Sequence, residues 1–290
     1  MRLPLALLLL AATGCTAPAY VGQTGRVTPK GSFRASFGSG YQVNTTAADL
    51  VRDGRDLARQ LDSKRVTCPD TTLAPECWNE ADVRPVVNAA YRFATVAPLS
   101  SNTQLGVRWG FASGVDVGLR YGPGNKGVDL GLQLFGPREA AQAGWAGSLF
   151  AGYGKRDLGT LGDVIESVFQ GEAGLTDYQV ALVAGRQYGE AAHLYLGGRW
   201  LLTRWKVQVL PDIPIIFDGG EVQRTLLATD TDGTIHQVGV VLGGAVGYRH
   251  LWLGAELNLL QSFGHARILG QDQTLSGLGV MPAVYLYGQY

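Results

Sequence analysis

The chain has 290 residues with 24 basic and 24 acidic side chains, a formal net charge of zero, which removes the electrostatic basis for nucleic-acid binding. Charged residues are 17% of the chain and glycine contributes 41 residues, against about 25% charge and ~7% glycine in ordinary soluble domains. So little charge cannot cover a normal solvated surface.

The N-terminal stretch "MRLPLALLLLAATGC" has one basic residue, Arg2, followed by an apolar run from Leu3 to Ala12. Such a run reads as a secretory signal and is shorter than the ~20 residues a membrane-spanning helix needs. Two cleavage sites compete. "ATGC" is similar to a bacterial lipobox, which would remove residues 1–14 and leave Cys15 as an acylated first residue, although Ala12 stands where leucine is usual. "APA", Ala17 to Ala19, fits ordinary signal peptidase and would remove residues 1–19. Thr16 after the cysteine, in place of Asp, is similar to lipoproteins sorted to the outer membrane. Residues 20–30 read as a linker.

From Gly31 onward the recurring signal is alternation with period two. Gly31–Tyr41 is the first candidate strand, and residues 42–85 interrupt the pattern. Within them Thr46–Asp62 reads as a helix: Thr46 and Asp49 have capping-box spacing, and Leu50, Leu57 and Leu61 share a side. Gly54 weakens that helix by about 1 kcal/mol relative to alanine. Cys68 and Cys77 bracket "CPDTTLAPEC". In an exported chain such a pair is expected as a disulfide; a zinc site is the alternative, with no histidine nearby to complete it.

Further candidate strands are Val86–Thr95, Thr103–Phe111, Val115–Gly122, Lys126–Phe135, Trp145–Gly154, Tyr178–Tyr188, Ala192–Val207, Ile235–Tyr248, Leu251–Ser262 and Leu278–Tyr290, with Glu221–Thr229 a weaker one. In three of them the alternation is strict. Leu105, Val107, Trp109 and Phe111 oppose Gly106, Arg108 and Gly110. Val115, Val117, Leu119 and Tyr121 oppose Asp116, Gly118 and Arg120, and Val128, Leu130, Leu132 and Leu134 oppose Asp129, Gly131 and Gln133. "ASG" and "GPGN" between them are hairpin turns. A second helical stripe, Leu161, Val164, Ile165, Val168 and Phe169, and a proline-broken loop, Val209–Gly220, complete the chain; "IPIIF" in that loop either meets lipid or a partner or tucks into a barrel mouth.

In a soluble barrel the apolar face turns inward and the other face is rich in Lys, Glu, Asp and Thr. Here the other face is mainly Gly, Ala, Ser and Gln, with scattered Arg and Asp. A membrane barrel reverses the arrangement: the apolar face meets lipid and a crowded interior favours small residues. On that reading Leu105, Val107, Trp109, Val117, Leu119, Val128, Leu130 and Leu132 face lipid. Arg34, Arg92, Arg108, Asp116, Arg120, Asp129, Arg199 and Glu256 line the lumen, either as an internal salt-bridge network or as a lining selective for a charged solute. Trp109, Tyr121, Trp145, Tyr153, Tyr178, Tyr188, Trp200 and Tyr248 lie near strand ends, where membrane barrels carry aromatic girdles.

These features together resemble the bacterial outer-membrane β-barrel proteins, over residues 31–290. The resemblance implies an all-β, closed antiparallel transmembrane β-barrel of 10–12 strands, embedded in outer-membrane lipid and delivered by the outer-membrane assembly machinery. The family's C-terminal signal ends in an aromatic residue; "AVYLYGQY" ends in Tyr290 with Leu286 and Val284 in phase, while Gly288 occupies the place of a second aromatic.

Motifs for covalent chemistry are few. "GPGNKG", Gly122 to Gly127, matches a dinucleotide fingerprint but sits between two strands and reads as a hairpin turn. "DTDG", Asp230 to Gly233, is too short for a calcium loop and also reads as a turn. His193, His236, His250 and His265 are not in Gly-x-Ser-x-Gly or His-Glu-x-x-His patterns. The sequence implies no cofactor and no metal. Its expected role is structural, loop-presenting or passive transport of a small solute, without catalysis; the alternatives are an outer-membrane lipid hydrolase and a soluble secreted ligand-binding barrel.

Overall fold

The computed structural model describes residues 22–44, 99–123, 125–138, 142–156, 169–170, 173–208, 210–211, 230–268 and 271–290. Twelve strands appear among them: β1 (Phe33–Asn44), β2 (Leu99–Ala112), β3 (Val115–Gly122), β4 (Asn125–Phe135), β5 (Gly144–Arg156), β6 (Phe169–Gln170), β7 (Ala173–Tyr188), β8 (Ala192–Gln208), β9 (Leu210–Pro211), β10 (Asp230–Tyr248), β11 (Leu251–Ile268) and β12 (Gln271–Gln289). Ten of them form one closed antiparallel barrel in the order β1-β12-β11-β10-β8-β7-β5-β4-β3-β2, and β6 pairs with β9 in a separate small sheet. Closure joins the two ends of the chain, with Arg34 opposite Gln289 and Asn44 opposite Gly279. Within the closed barrel each strand has a hydrogen-bonded neighbour on both sides, as a backbone that crosses lipid requires.

One end of the barrel carries tight connections. β2 turns into β3 at Ser113–Gly114, β7 into β8 at residues 189–191, and β10 into β11 at Arg249–His250. Arg249 adopts φ 55° and Gly114 and Gly189 also have positive φ, the left-handed conformation that such reversals require. Phe33 and Tyr290 meet at this turn end through paired backbone hydrogen bonds of 2.8 and 2.9 Å. The opposite, loop end carries the connections through residues 45–98, 157–172 and 209–229 and the tight hairpin between β3 and β4, where Gly122 faces Asn125. "GPGNKG" is therefore a strand hairpin.

The walls differ in height. β3 has 8 residues, whereas β10 and β12 have 19 each. β10, β11 and β12 extend past the bounds expected from alternation, Ile235, Ser262 and Leu278, to Asp230, Ile268 and Gln271. The added residues are mostly polar or small, with Phe263, Ile268 and Leu275 the large apolar ones, because a strand that rises clear of a hydrocarbon layer keeps its ladder while losing the need for an apolar face. This corrects the reading of "DTDG" as a turn: Asp230–Gly233 is strand, with Asp232 opposite Arg267 and Gly233 opposite Ala266. Gly233 lacks a side chain because the Trp205 indole covers it; a Cβ there would lie 2.1 Å from the ring. A second correction concerns Phe169, assigned to a helical stripe, which is in strand β6. The helix over Thr46–Asp62, Cys15, Cys68, Cys77, the strands Val86–Thr95 and Glu221–Thr229 with Arg92, and "IPIIF" lie outside the described residues.

Side-chain polarity is the reverse of a soluble barrel. Leu105, Val107, Trp109, Val117, Leu119, Val128, Leu130 and Leu132 all point outward and are exposed. The outer apolar surface continues around the barrel through Leu182, Leu194, Leu196, Val240, Leu242, Leu253 and Val284. Exposed aromatics border it in two belts. Trp109, Trp145, Tyr188 and Tyr248 lie near the turn end and Tyr41, Tyr121, Tyr153 and Tyr178 near the loop end. Trp145 to Tyr153 along β5, and Tyr188 to Tyr178 along β7, correspond to ~20–26 Å between belts at ~3.4 Å rise and ~40° tilt, matching the ~25 Å apolar band of outer-membrane barrels. Arg186, Arg204 and Arg249 lie over Tyr188, Tyr178 and Tyr248, placing their charges at the belts, where long cationic chains reach water.

Candidate functional site

The middle of the barrel interior is occupied, and part of what occupies it is the chain's own N-terminal segment. Residues 22–30, read from sequence as linker, run from the turn end into the lumen, and Gln23, Thr24, Val27 and Thr28 are buried. The backbone of this segment is held by the wall. Thr28 N–H donates to Asp116 Oδ2 at 2.7 Å, Gly22 N–H to Glu256 Oε2 at 3.0 Å, and Ser148 Oγ donates to the Gly25 carbonyl at 2.8 Å. Gln23 Oε1 accepts from Gln179 Nε2 at 2.5 Å.

Two glycines make room for it. A Cβ on Gly110 of β2 would lie 2.0 Å from the Pro29 carbonyl oxygen, and one on Gly25 would lie 2.5 Å from the Gly185 backbone nitrogen. The plug is thus pressed backbone to backbone against the wall, which only glycine permits.

Around the plug the inward charges form two clusters. Arg108 binds both Asp116, at 2.5 Å, and Asp129, while Arg120 pairs with Asp129 at 2.9 Å. Across the lumen, Arg199 pairs with Glu256 at 3.4 Å and donates to Asn258 Oδ1 at 2.5 Å. Tyr195 Oη donates to Glu256 Oε2 at 2.7 Å. Arg156, Asp177 and Thr203 make a further cluster on β5, β7 and β8, closer to the loop end. Removing these charges from water is tolerable because each carboxylate collects several donors.

Arg34, Asp116, Asp129, Arg199 and Glu256 are buried, and the Arg108 and Arg120 side chains are 12% and 10% exposed. Among the described buried charges, Arg34 alone has no carboxylate within ion-pair distance. It donates to Gln289 Oε1 at 3.0 Å and lies 4.9 Å over the Tyr287 ring. Burial first, and then the positive charge of Arg34, lower the pKa of Arg26 in the plug; an arginine remains a cation regardless.

Sequence reasoning did not identify the plug or an inward aromatic cluster. Phe150, Tyr195, Trp252, Tyr285 and Tyr287 pack inside with Val27 of the plug. Alternation parity places these rings inward, but β-propensity and the interfacial preference of aromatics point outward. The compensation is written in glycine: a Cβ on Gly243 would meet Tyr195 at 2.2 Å and one on Gly254 would meet Tyr285 at 2.2 Å.

The histidines are dispersed. His193 is inside the barrel near Tyr195, Trp252 and Tyr287. His236 stacks on Phe263, His250 stacks on Tyr290 at the turn end, and His265 is exposed. Among the described residues no histidine hydrogen-bonds a serine, and no three His, Cys, Asp or Glu side chains gather around a metal-sized space.

No protein-family profile and no curated protein matches the sequence. Solved structures that resemble it include Neisserial surface protein A, at 9% identity over 90% of this chain and 100% of that one with a TM-score of 0.31. Ail, the attachment invasion locus protein of Yersinia pestis, aligns at 7% identity over 90% of this chain and 99% of that one, TM-score 0.30. In-vitro-folded OmpT of Vibrio cholerae, an outer membrane protein, aligns at 13% identity over 69% and 67%, TM-score 0.20.

Proposed function

We propose that this outer-membrane β-barrel is a closed scaffold: it does not conduct, and it serves by holding its loop end at the cell surface. The observation that carries this reading is the plug, residues 22–30 lying across the lumen and hydrogen-bonded to Asp116, Ser148, Gln179 and Glu256 on separate walls. A ten-stranded barrel is already narrower than the 16–18-stranded porins. Paired arginines and carboxylates, inward aromatics and a backbone segment occupy what width there is.

Outer-membrane barrels carry short turns on the periplasmic side and longer loops outside. Applied here, the rule puts Phe33, Tyr290 and the tight turns of their end in the periplasm and the connection through residues 45–98 outside. Long loops on rigid frames are where recognition resides, so the partner of this protein would meet those residues. Lipid covers the outer apolar face, and the assembly machinery would read strand β12. The role involves no covalent chemistry.

Planar-bilayer recording of the full chain, refolded in detergent and reconstituted, tests the reading. The expected record is a closed baseline at low voltage, with ohmic conductance appearing when residues 22–30 are deleted. A steady open conductance from the intact chain overturns it.

A further inference from the structure

Below the plug, opening toward the turn end, the lumen contains a cavity of about 620 Å³. That volume is in the ~300–1,000 Å³ range of small-molecule sites. Among the described residues that line it, the charged side chains are Arg26, Arg34, Arg138, Arg186, Arg249 and Glu190.

The deep end of the cavity has unfinished hydrogen bonding. Arg34 is 6% exposed and His193 is 8% exposed. Arg34 Nε and His193 Nε2 are buried with no hydrogen-bond partner. Among the described residues lining the cavity, they are the buried side-chain polar atoms left in that condition. Tyr287 Oη lies 3.3 Å from His193 Nδ1; with the phenol donating there, the imidazole proton sits on Nε2. Both unpartnered atoms are then N–H donors, and one belongs to a buried cation with no carboxylate. A pair of donors beside an uncompensated positive charge is the complement of an oxyanion. Beside them the buried Trp252 and Tyr287 rings stack at 6.0 Å and 3°, with Arg34 over Tyr287 and His193 against Trp252, so apolar side chains back the two donors and keep water from replacing the missing partner.

We infer that this cavity binds a small, soluble oxyanion from the turn side, with the oxyanion on Arg34 and His193. The site is separate from the scaffold reading, which stands whether or not a ligand binds here.

Isothermal titration of the full chain in a maltoside detergent with phenyl phosphate tests it, with heat-modifiable gel mobility reporting that each variant is folded. Saturable binding is expected, weakened by about tenfold or more in Arg34→Gln, the usual consequence of losing a charge-assisted pair. Gln289→Glu gives an independent route to the same loss, since it sets a carboxylate where Gln289 Oε1 now lies, 3.0 Å from Arg34. Arg34→Lys should retain part of the affinity, Arg204→Gln at the loop-end belt, away from the cavity, should change it less than about threefold, and benzyl alcohol should not saturate. Absence of saturable binding up to about 10 mM, a free energy of only ~3 kcal/mol, overturns the inference. So does wild-type affinity in both Arg34→Gln and Gln289→Glu. Competition by short-chain phosphatidylglycerol would move the site to a lipid headgroup and overturn the soluble ligand.

Discussion

Gly110→Ala is the smallest change that should dislodge the plug. The new methyl would lie 2.0 Å from the Pro29 carbonyl oxygen and 2.5 Å from that of Thr28. Both contacts are to backbone, so no side-chain rotation relieves them, and the segment must move away from β2 by roughly 1 Å or more to reach an ordinary contact distance. That shift breaks two hydrogen bonds, Thr28 N–H to Asp116 at 2.7 Å and Gly31 N–H to the Gly110 carbonyl at 2.7 Å. The first has a charged acceptor and contributes about 1.5–3 kcal/mol; the second is neutral and contributes about 0.5–1.5 kcal/mol. Their loss, ~2–4.5 kcal/mol, raises the undocked population by about 30- to 2,000-fold at 1.4 kcal/mol per factor of ten. Hydrogen–deuterium exchange read by mass spectrometry on peptides covering residues 22–31 measures this directly, because exchange follows the open population. Gly174→Ala is the control, since nothing lies within 4 Å of a Cβ there. Unchanged protection of residues 22–31 in a folded Gly110→Ala protein would refute the reasoning that the wall glycine seats the plug.

Other outcomes follow from the same geometry. Arg108→Met leaves Asp116 and Asp129 without their shared cation and should lower unfolding free energy in urea by about 3–5 kcal/mol. Arg267→Met, which breaks an exposed pair at 3.6 Å with Asp272, should cost less than about 1 kcal/mol. On the outer face, Val107→Arg falls within the apolar band and should destabilise the refolded barrel by about 2–4 kcal/mol, whereas Tyr121→Arg, at the belt, should cost about 0–1 kcal/mol. Equal costs at the two positions would mean the outer band does not meet hydrocarbon.

Much of this architecture is legible in one sequence because the strand period is two. Once one face of β2, β3 and β4 is known, parity orders the rest, and a one-residue slip would invert every side chain. Leu105, Val107 and Trp109 go to one face and Arg108 to the other without reference to anything distant. Antiparallel closure follows from the same pattern, since lipid leaves no unpaired edge. Strand ends were less legible. Beyond the belts the outer faces of β10, β11 and β12 no longer meet lipid, and an apolar outer face stops being required where Asp230, Thr274 and Gln271 continue the ladder.

Sequence alone determined which face each regular strand turns to lipid, because that choice is made locally by neighbours two residues apart. Tertiary structure decided what fills the interior. Residues 22–30 show no periodicity, and their place depends on Gly110, Asp116, Ser148, Gln179 and Glu256, which are remote in sequence and meet only when the barrel closes. The same holds for Arg34: that it is, among the described buried charges, the one without a carboxylate depends on where every other inward charge lands, and no local pattern encodes that sum.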